Sequence, residues 1–274
     1  RISTNDLYLT NIRNINQVRD KMGKVIQKTG AENVYSSFAD LGSANNIQSK
    51  IDLNIQNQNA NLYIQNCSIT IMKMDNMLTS LDRLYEIALE MDKDLVMFNE
   101  LGENQIINLT KLRLEQIAQE MNANVNGFYL FSGSKTSIAP VDNIYTPNFD
   151  ADDQNEINYL TSSVNTNYYQ GDDFINSVFV DKDFKILYGV TGNSECFAKL
   201  IGAMHLISNN NNVEEILKRA HSFLQEAMWS ILQLEQSIKN HYSVIDKYQE
   251  MHYDDKIAIS SLSEAIDYEN EVDL

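Results

Sequence analysis

Apolar residues at both ends of the chain recur at the spacing of a coiled-coil seam. Near the N-terminus they alternate three and four residues apart, at Ile15, Val18, Met22 and Val25. Toward the C-terminus a heptad repeat runs through Leu217, Leu224, Ile231, Ile238 and Ile245, with Ala220, Ala227, Leu234, His241 and Tyr248 at the interleaved position. This spacing is typical of helices that pack along a shared apolar stripe. Because no glycine or proline occurs from 203 to 274, the pattern predicts one long C-terminal helix.

Three helices are predicted in the first 123 residues. The first spans 5–29 and ends at Gly30, and the stretch 31–46, which contains Gly42, is interpreted as a loop or extended arm. A long helix over 47–98 has a clean heptad seam in its second half, at Met74, Met77, Leu81, Leu84, Ala88, Met91, Leu95 and Phe98. A further helix covers 104–123, with Ile107, Leu114, Ile117 and Met121 on one stripe. Since only a short turn at Gly102 separates these two helices, we expect them to pack antiparallel.

The pattern changes to that of β-structure after residue 126. The segment Gly127-Phe-Tyr-Leu-Phe-Ser-Gly133 is aromatic and bounded by glycines, which predicts a strand, a tight turn at Ser132-Gly133 and a hairpin near 127–137. A second hairpin is predicted from alternating apolar residues at 178–190, with 181–183 as its three-residue loop. Helical spacing returns from Asn193, and Asn209 to Asn212 form a polar break before the last helix.

These elements predict a mainly α fold: an elongated antiparallel helical bundle, or coiled-coil rod, formed by both chain ends. A small β-rich domain is inserted into it. The predicted domains are a discontinuous helical domain over 1–139 and 196–274, which includes the hairpin near 127–137, and an inserted β-rich domain over 140–195. The two prolines, Pro140 and Pro147, mark the boundary at which the insertion begins.

Composition narrows the classes of function. The formal net charge is -17 and no basic stripe is visible, so a nucleic-acid partner is not expected. Ten acidic residues and two lysines lie between Pro140 and Glu195, a net of -8, which is typical of a self-repelling, soluble surface. No apolar run is long enough to span a membrane, and the N-terminus lacks a cleavable secretory signal. Cys67 and Cys196 are far apart and are interpreted as isolated buried side chains.

No catalytic, cofactor or metal site is predicted, and we expect no enzymatic activity. Gly133-Ser-Lys135-Thr136 has the wrong spacing for a phosphate-binding loop, because Ser134 separates the glycine from the lysine. The acidic run from Asp150 to Glu156 lacks the glycine and glutamate that an EF-type calcium loop requires. The histidines, His205, His221, His241 and His252, show no zinc-protease spacing.

Three blocks of sequence resemble a known family. They are the opening Arg1-Ile-Ser-Thr4 with Tyr8; Gly127-Phe-Tyr-Leu-Phe-Ser-Gly-Ser-Lys-Thr136 with Ala139-Pro140; and Tyr169-Gln-Gly-Asp172 with the following hairpin and Thr191-Gly-Asn193. Together they resemble the flagellin-type axial proteins of bacteria and, within them, the hook–filament junction proteins, also called the third hook-associated protein. The chain departs from this pattern at Ser36-Ser-Phe-Ala-Asp-Leu-Gly42, where many members carry Asp-Asp-Pro. Members also continue beyond the position of Leu274 into a further helix, so we expect a longer natural chain.

The resemblance implies a structural adaptor of the extracellular flagellum that joins the hook to the filament. Its implied partners are other copies of the chain in a ring, the hook-side hook-associated protein, flagellin and an export chaperone. It would be exported by the flagellar apparatus without a cleaved signal and would be monomeric in isolation, with no membrane or nucleic-acid partner and no cofactor. The expected assembly interface is the N-terminal stripe Tyr8, Ile12, Ile15, Val18 and Met22, with Ile238, Ile245 and Tyr248 as its partner within the chain.

Two other functions remain open. A minor flagellin of the filament would share the helical ends, and only the block from Gly127 to Thr136 argues against it. In a different class, a surface adhesin or ligand-binding module would use the β-rich insertion to bind its ligand. Saturable binding of a glycan or of calcium to residues 140–195 would favour the adhesin.

Overall fold

The computed structural model describes residues 38–97, 102–142, 144, 168–208 and 214–272. In these ranges the chain forms four helices and two small antiparallel sheets, so the predicted mainly α class with a small β region is confirmed. The helices are α1 (Phe38–Val96), α2 (Glu103–Met121), α3 (Glu195–Ser208) and α4 (Glu214–Val272). The strands are β1 (Asn124–Val125), β2 (Phe128–Tyr129), β3 (Ser177–Asp181) and β4 (Phe184–Leu187).

The chain divides into two compact units. One contains residues 65–249, and the other contains 1–64 together with 250–274. The extent of the predicted inserted domain, 140–195, stays a prediction, because 145–167 lie outside the described residues.

The unit 65–249 has one hydrophobic core to which all four helices and the second hairpin contribute. Helix α3 is buried along almost its whole length and packs against α2. Arg83 forms an ion pair with Glu120, and Arg113 forms one with Asp94. Because the later residue of α1 pairs with the earlier residue of α2, these two helices run antiparallel, as the short turn at Gly102 predicts.

Helix α1 begins earlier than the sequence pattern suggests. Gly42 and several small polar residues predict a loop or extended arm over 31–46, but 38–46 are helical in the structure. An internal glycine costs a helix only about 1 kcal/mol relative to alanine, and no proline stops the helix from propagating. In α2, Ile106 rather than Ile107 is fully buried.

The first hairpin lies slightly upstream of the predicted region near 127–137. Strand β1 pairs with β2, with Asn124 opposite Tyr129 and Val125 opposite Phe128. The turn is Asn126-Gly127, and both residues have positive φ, 54° and 81°, as a two-residue type I′ turn requires. Ser132-Gly133 is therefore not the hairpin turn, although Tyr129 donates a backbone hydrogen bond to Thr136.

The second hairpin is close to its prediction. Val178 pairs with Ile186, and the buried face carries Val178, Val180 and Ile186. The connection is one residue shorter than predicted, because Asp181 pairs with Phe184 and leaves only Lys182 and Asp183 in the turn. A register shift between Phe179 and Asp181 takes up the extra residue as a bulge.

Candidate assembly site

Helices α1 and α4 pack antiparallel within the unit 65–249. The amide of Gln249 donates to the hydroxyl of Ser68, and Nε2 of His221 lies 3.1 Å from Oδ1 of Asp92. Residues that come later in α1 thus meet residues that come earlier in α4. The two predicted heptad seams therefore face one another.

Most seam positions are buried as the heptads predict, but Leu95, Leu217, Leu234, His241 and Tyr248 are only half-buried, and Phe98 lies outside the described residues. The fully buried residues are Met74, Met77, Leu81, Leu84, Ala88 and Met91 on α1, and Ala220, Leu224, Ala227, Ile231, Ile238 and Ile245 on α4. Cys67 continues the α1 series toward the N-terminus and is buried. Burial raises the pKa of the Cys67 thiol to about 11, so this side chain behaves as a small apolar group.

The residues predicted to form the assembly interface are placed unevenly. Tyr8, Ile12, Ile15, Val18 and Met22 lie outside the described residues. Ile238 and Ile245 are core residues of the unit 65–249, whereas Tyr248 is half-buried and its ring lies 5.2 Å from that of Phe184. The pairing of these three residues with the N-terminal stripe stays a prediction.

In the other unit, α1 and α4 meet at a ring stack. Tyr63 and His252 have ring centroids 5.0 Å apart, and both side chains are buried, as are Ala60 and Ile64. His252 lies seven residues after Ile245 and so extends the heptad of α4. The heptad seam of α4 therefore continues in this unit, where the imidazole of His252 follows the aliphatic Ile238 and Ile245 in the repeat.

Beyond this stack, α4 exposes large apolar side chains. Met251, Tyr253, Ile257 and Leu262 are all exposed, and Ile257 retains 66% of its accessible surface. Tyr253 and Ile257, four residues apart, lie on one side of the helix, and Met251 and Leu262 lie on the other, so both sides offer apolar surface to a packing partner. This end of α4 is consequently the strongest candidate for an assembly surface in the described part of the chain.

A second feature is a clamp between two loops, 131–136 and 169–174. The Asp172 carboxylate accepts hydrogen bonds from the backbone N–H of Ser134 at 2.8 Å, from the Ser134 hydroxyl, and from the backbone N–H of Phe174 at 3.1 Å. These bonds, led by the one from the Ser134 hydroxyl, hold the pKa of Asp172 below its usual value.

Other hydrogen bonds tie the same loops together. Nζ of Lys135 donates to the carbonyl of Gly171 at 3.1 Å, and the Tyr169 hydroxyl lies 2.8 Å from the carbonyl of Asp172 and 3.0 Å from that of Phe131. Burial, together with the neighbouring Asp172 charge, raises the pKa of Tyr169 to about 12, so the phenol stays protonated and can donate. The backbone N–H of Gly192 completes the arrangement by donating to the carbonyl of Phe131.

The clamp joins two of the three blocks of sequence that carry the family resemblance. One loop belongs to the block Gly127 to Thr136, the other begins with Tyr169-Gln-Gly-Asp172, and Gly192 belongs to Thr191-Gly-Asn193. Lys135, which superficially suggested a phosphate-binding loop, uses its ammonium group to bind backbone carbonyls. The arrangement has the chemistry of a structural joint.

Two polar contacts outside the clamp have no clear sequence signal. The side-chain amide of Asn122 both donates to and accepts from the backbone of Val141, each at 2.9 Å. Arg113 is buried between α1 and α2, where its guanidinium contacts Asp94 and the sulfur of Met91. An arginine one residue before the apolar stripe position Leu114 resembles any solvent-facing arginine in sequence, so its burial could not be anticipated.

Within the described residues, no group of three or more His, Cys, Asp and Glu side chains could hold a metal ion. None of the described helices carries an apolar stretch of the length needed to cross a bilayer. Residues 150–156, which weakly resemble a calcium loop, lie outside the described residues.

The fold and the two helical seams define a helical protein with a small β region and an exposed apolar helix end. The structure is similar to one described as a flagellar hook-associated protein from Vibrio parahaemolyticus, with a TM-score of 0.61 and 16% identity over 79% of this chain and 95% of that chain. At this identity the likeness shows a shared fold.

Two further structures resemble the chain more distantly. FlgL of Bacillus cereus aligns with 81% of this chain and 97% of its own, at 14% identity and a TM-score of 0.45. FlgL of Xanthomonas campestris aligns with 78% of this chain and 98% of its own, at 12% identity and a TM-score of 0.43. The sequence matches no protein-family model, and no curated protein is similar enough to count as a match.

Proposed function

We propose that this protein is a structural subunit of the bacterial flagellum, an adaptor that joins the hook to the filament. The single observation that carries the proposal is the exposed apolar end of α4, at Met251, Tyr253, Ile257 and Leu262. The fold shared with a structure described as a flagellar hook-associated protein supports the same role.

The proposed mechanism couples packing to assembly. A helix that exposes apolar side chains gains about 25 cal/mol for each Å² of apolar surface that it buries against a partner. Copies of the chain supply that partner, together with the N-terminal stripe Tyr8, Ile12, Ile15, Val18 and Met22. The subunits would form a ring that contacts a hook-associated protein on the hook side and flagellin on the other.

The proposal includes an extracellular location in the flagellum. Export would proceed through the flagellar apparatus, with a chaperone that covers the apolar helix ends until assembly. A role in assembly needs no catalytic group, cofactor or metal.

Reconstitution on purified hooks tests the function. Full-length protein is added to hooks that carry the hook-side hook-associated protein, and flagellin is added afterwards. Electron microscopy should show a junction layer and filament growth. A variant with Ile15→Asp and Met22→Asp should form neither, because a carboxylate on the apolar stripe must be desolvated when the stripe is buried.

A charge-matched control separates the stripe from net charge. Asn14→Asp and Gln17→Asp add the same two negative charges to the same segment, but off the stripe, and should leave assembly intact. Junction formation by the Ile15→Asp and Met22→Asp variant would show that the stripe is not the interface. If the unmodified protein never caps the hook, the adaptor function itself is wrong.

A further inference from the structure

The turn of the first hairpin contains an asparagine followed by a glycine, a pair that occurs once in the whole chain, at Asn126-Gly127. Both residues are exposed. In such a pair the backbone nitrogen of the glycine can attack Cγ of the asparagine, because glycine has no Cβ to hinder the approach. The surroundings are open as well, since even a Cβ added to Gly127 would meet no atom within 4 Å.

Neither reacting group of this pair is held by another group. Within the described part of the chain, the side-chain amide of Asn126 forms no hydrogen bond, and the backbone N–H of Gly127 donates to no acceptor. The turn must relax before the nitrogen reaches Cγ, but it connects strands of only two residues each, β1 and β2. A hairpin this short is marginally stable by itself, so its turn opens at low cost in free energy.

A neighbouring asparagine, Asn122, shows the opposite situation. Its side-chain amide is bonded to the backbone of Val141 through both the nitrogen and the oxygen, each at 2.9 Å. The nitrogen that would attack it belongs to Ala123, and its N–H donates to the carbonyl of Glu120 at 3.1 Å. These bonds must break before Asn122 can react, which raises the barrier at this position relative to Asn126.

We propose that Asn126 is a site of spontaneous deamidation in the folded protein. Hydroxide removes the N–H proton of Gly127, and the nitrogen forms a bond to Cγ. The bond from Cγ to the side-chain nitrogen breaks, and this nitrogen takes up a proton and leaves as ammonia. The result is a succinimide ring, and the reaction depends on no partner and not on the proposed function.

One water molecule opens the succinimide ring in either of two ways. Cleavage between Cγ and the ring nitrogen gives aspartate at position 126. Cleavage between the main-chain carbonyl carbon and the ring nitrogen gives isoaspartate, in which the backbone runs through the side chain. Either product replaces a neutral amide with a carboxylate, so each event adds one negative charge to the chain.

The two products should affect the hairpin differently. Aspartate followed by glycine suits a type I′ turn, so this product leaves β1 and β2 paired. Isoaspartate adds a methylene group to the backbone within the turn and cannot keep its geometry. The N–H of Leu130, which donates to the carbonyl of Ala123 at 3.0 Å, then becomes exposed to exchange with water. Since β2 leads directly into the loop 131–136, the change occurs next to the clamp.

Ageing the full chain in a mildly alkaline buffer made with heavy-oxygen water tests the site. The tryptic peptide 114–135 contains both asparagines, so fragment-ion mass spectrometry compares them within one molecule. Asn126 should lose its amide and gain one heavy oxygen at least about tenfold faster than Asn122, a difference of about 1.4 kcal/mol in barrier. Equal rates at the two positions in the folded protein would show that Asn126 is not a deamidation site.

The same chain unfolded in guanidinium separates the effect of structure from that of sequence. Unfolding breaks the bonds around Asn122 and should accelerate its deamidation at least about tenfold. Asn126, which has no such bonds to lose, should accelerate by a smaller factor. If unfolding accelerates Asn126 as much as Asn122, the turn protects its asparagine and the proposal is wrong.

Amide hydrogen exchange measures the consequence for the hairpin. The isoaspartate form, separated by ion exchange, is compared with the variant Asn126→Asp, which carries the same added charge on a normal backbone. The N–H of Leu130 should exchange at least about tenfold faster in the isoaspartate form, equivalent to about 1.4 kcal/mol of lost protection. Equal exchange in the two proteins would overturn the proposed opening of the hairpin, and neither result bears on the adaptor function.

Discussion

Gly133 and Asp172 approach so closely that a hydrogen atom is the only side chain that fits. A Cβ placed on Gly133 would overlap both the carboxylate and the backbone carbonyl of Asp172. Gly133 also has a φ of 68°, a conformation that other residues adopt at a cost. The carboxylate can therefore reach the N–H of Ser134 only because the position is glycine.

We expect Gly133→Ala to destabilise the protein by about 3 kcal/mol, the sum of left-handed backbone strain and overpacking. Chemical denaturation followed by circular dichroism measures the free energy of unfolding. The substitution should also separate the two loops, because the new methyl group displaces Asp172 from Ser134.

Gly127→Ala is the matched control for that prediction. Gly127 has a φ of 81°, so it shares the backbone strain, but a Cβ at this position would have no atom within 4 Å. Its expected cost is about 1 kcal/mol. Equal losses for the two variants would show that the close approach to Asp172 adds nothing to stability.

Helices α1 and α4 are stabilised mainly by the residues at their seam positions. Two residues next to one another on the same helix can therefore differ completely in burial. Ile245 of α4 is fully buried in the core, whereas Val244 beside it is exposed. A long helix in isolation gains little from propensity, so packing of the apolar stripe must supply most of the stabilisation.

Truncation of the two neighbours should reveal this difference. Ile245→Ala removes buried methyl groups and leaves a cavity, for which we expect a loss of about 3 kcal/mol. Val244→Ala should change stability by less than about 0.5 kcal/mol. Thermal unfolding of the two variants provides the comparison, and similar melting temperatures would mean that the α4 seam is not packed at Ile245.

The sequence predicted these helices well because their signal is local and periodic. Buried and exposed positions in α1 and α4 follow directly from the three-and-four spacing, and β3 and β4 follow from alternation. The errors arose where local signals compete. Gly42 favours a loop, but it lies in the first turns of α1. Ser132-Gly133 is compatible with a hairpin turn, but Asn126-Gly127 is the stronger hairpin signal and forms the turn.

The clamp could not be predicted in the same way, because it joins residues far apart in sequence. Asp172 and Ser134 are separated by 38 positions, and neither belongs to a pattern with a period. Only the glycines at 133, 171 and 192 gave a hint, since each is a position where the backbone comes close to another group. The buried Arg113 is a similar case: its partner Asp94 becomes visible only once α1 and α2 are packed.

Taken as a whole, the molecule combines a large negative charge with apolar surfaces. The formal charge is -17, while Ile257, Leu262 and Leu187 are exposed. Copies therefore repel over distances comparable to the Debye length and attract only at contact. This opposition would keep the subunits apart at low concentration and low salt, and would let them associate once the charges are screened.

The balance between charge repulsion and apolar attraction predicts that copies of the chain associate more strongly as the salt concentration rises. Raising ionic strength from about 0.01 M to about 0.1 M shortens the Debye length from roughly 30 Å to roughly 10 Å, which removes most of the repulsion between exposed charges. Sedimentation or light scattering of the full chain should show association at lower protein concentration in the higher salt.

The sign of the salt effect discriminates between two kinds of interface. Contacts dominated by opposite charges weaken when salt is added, as they do in protein–nucleic acid complexes. Contacts between apolar faces of like-charged molecules strengthen instead, because salt screens the repulsion and leaves the burial of apolar surface intact. If association of this chain weakens as salt rises, ion pairs hold the copies together, and the apolar surface at the end of α4 must serve another purpose.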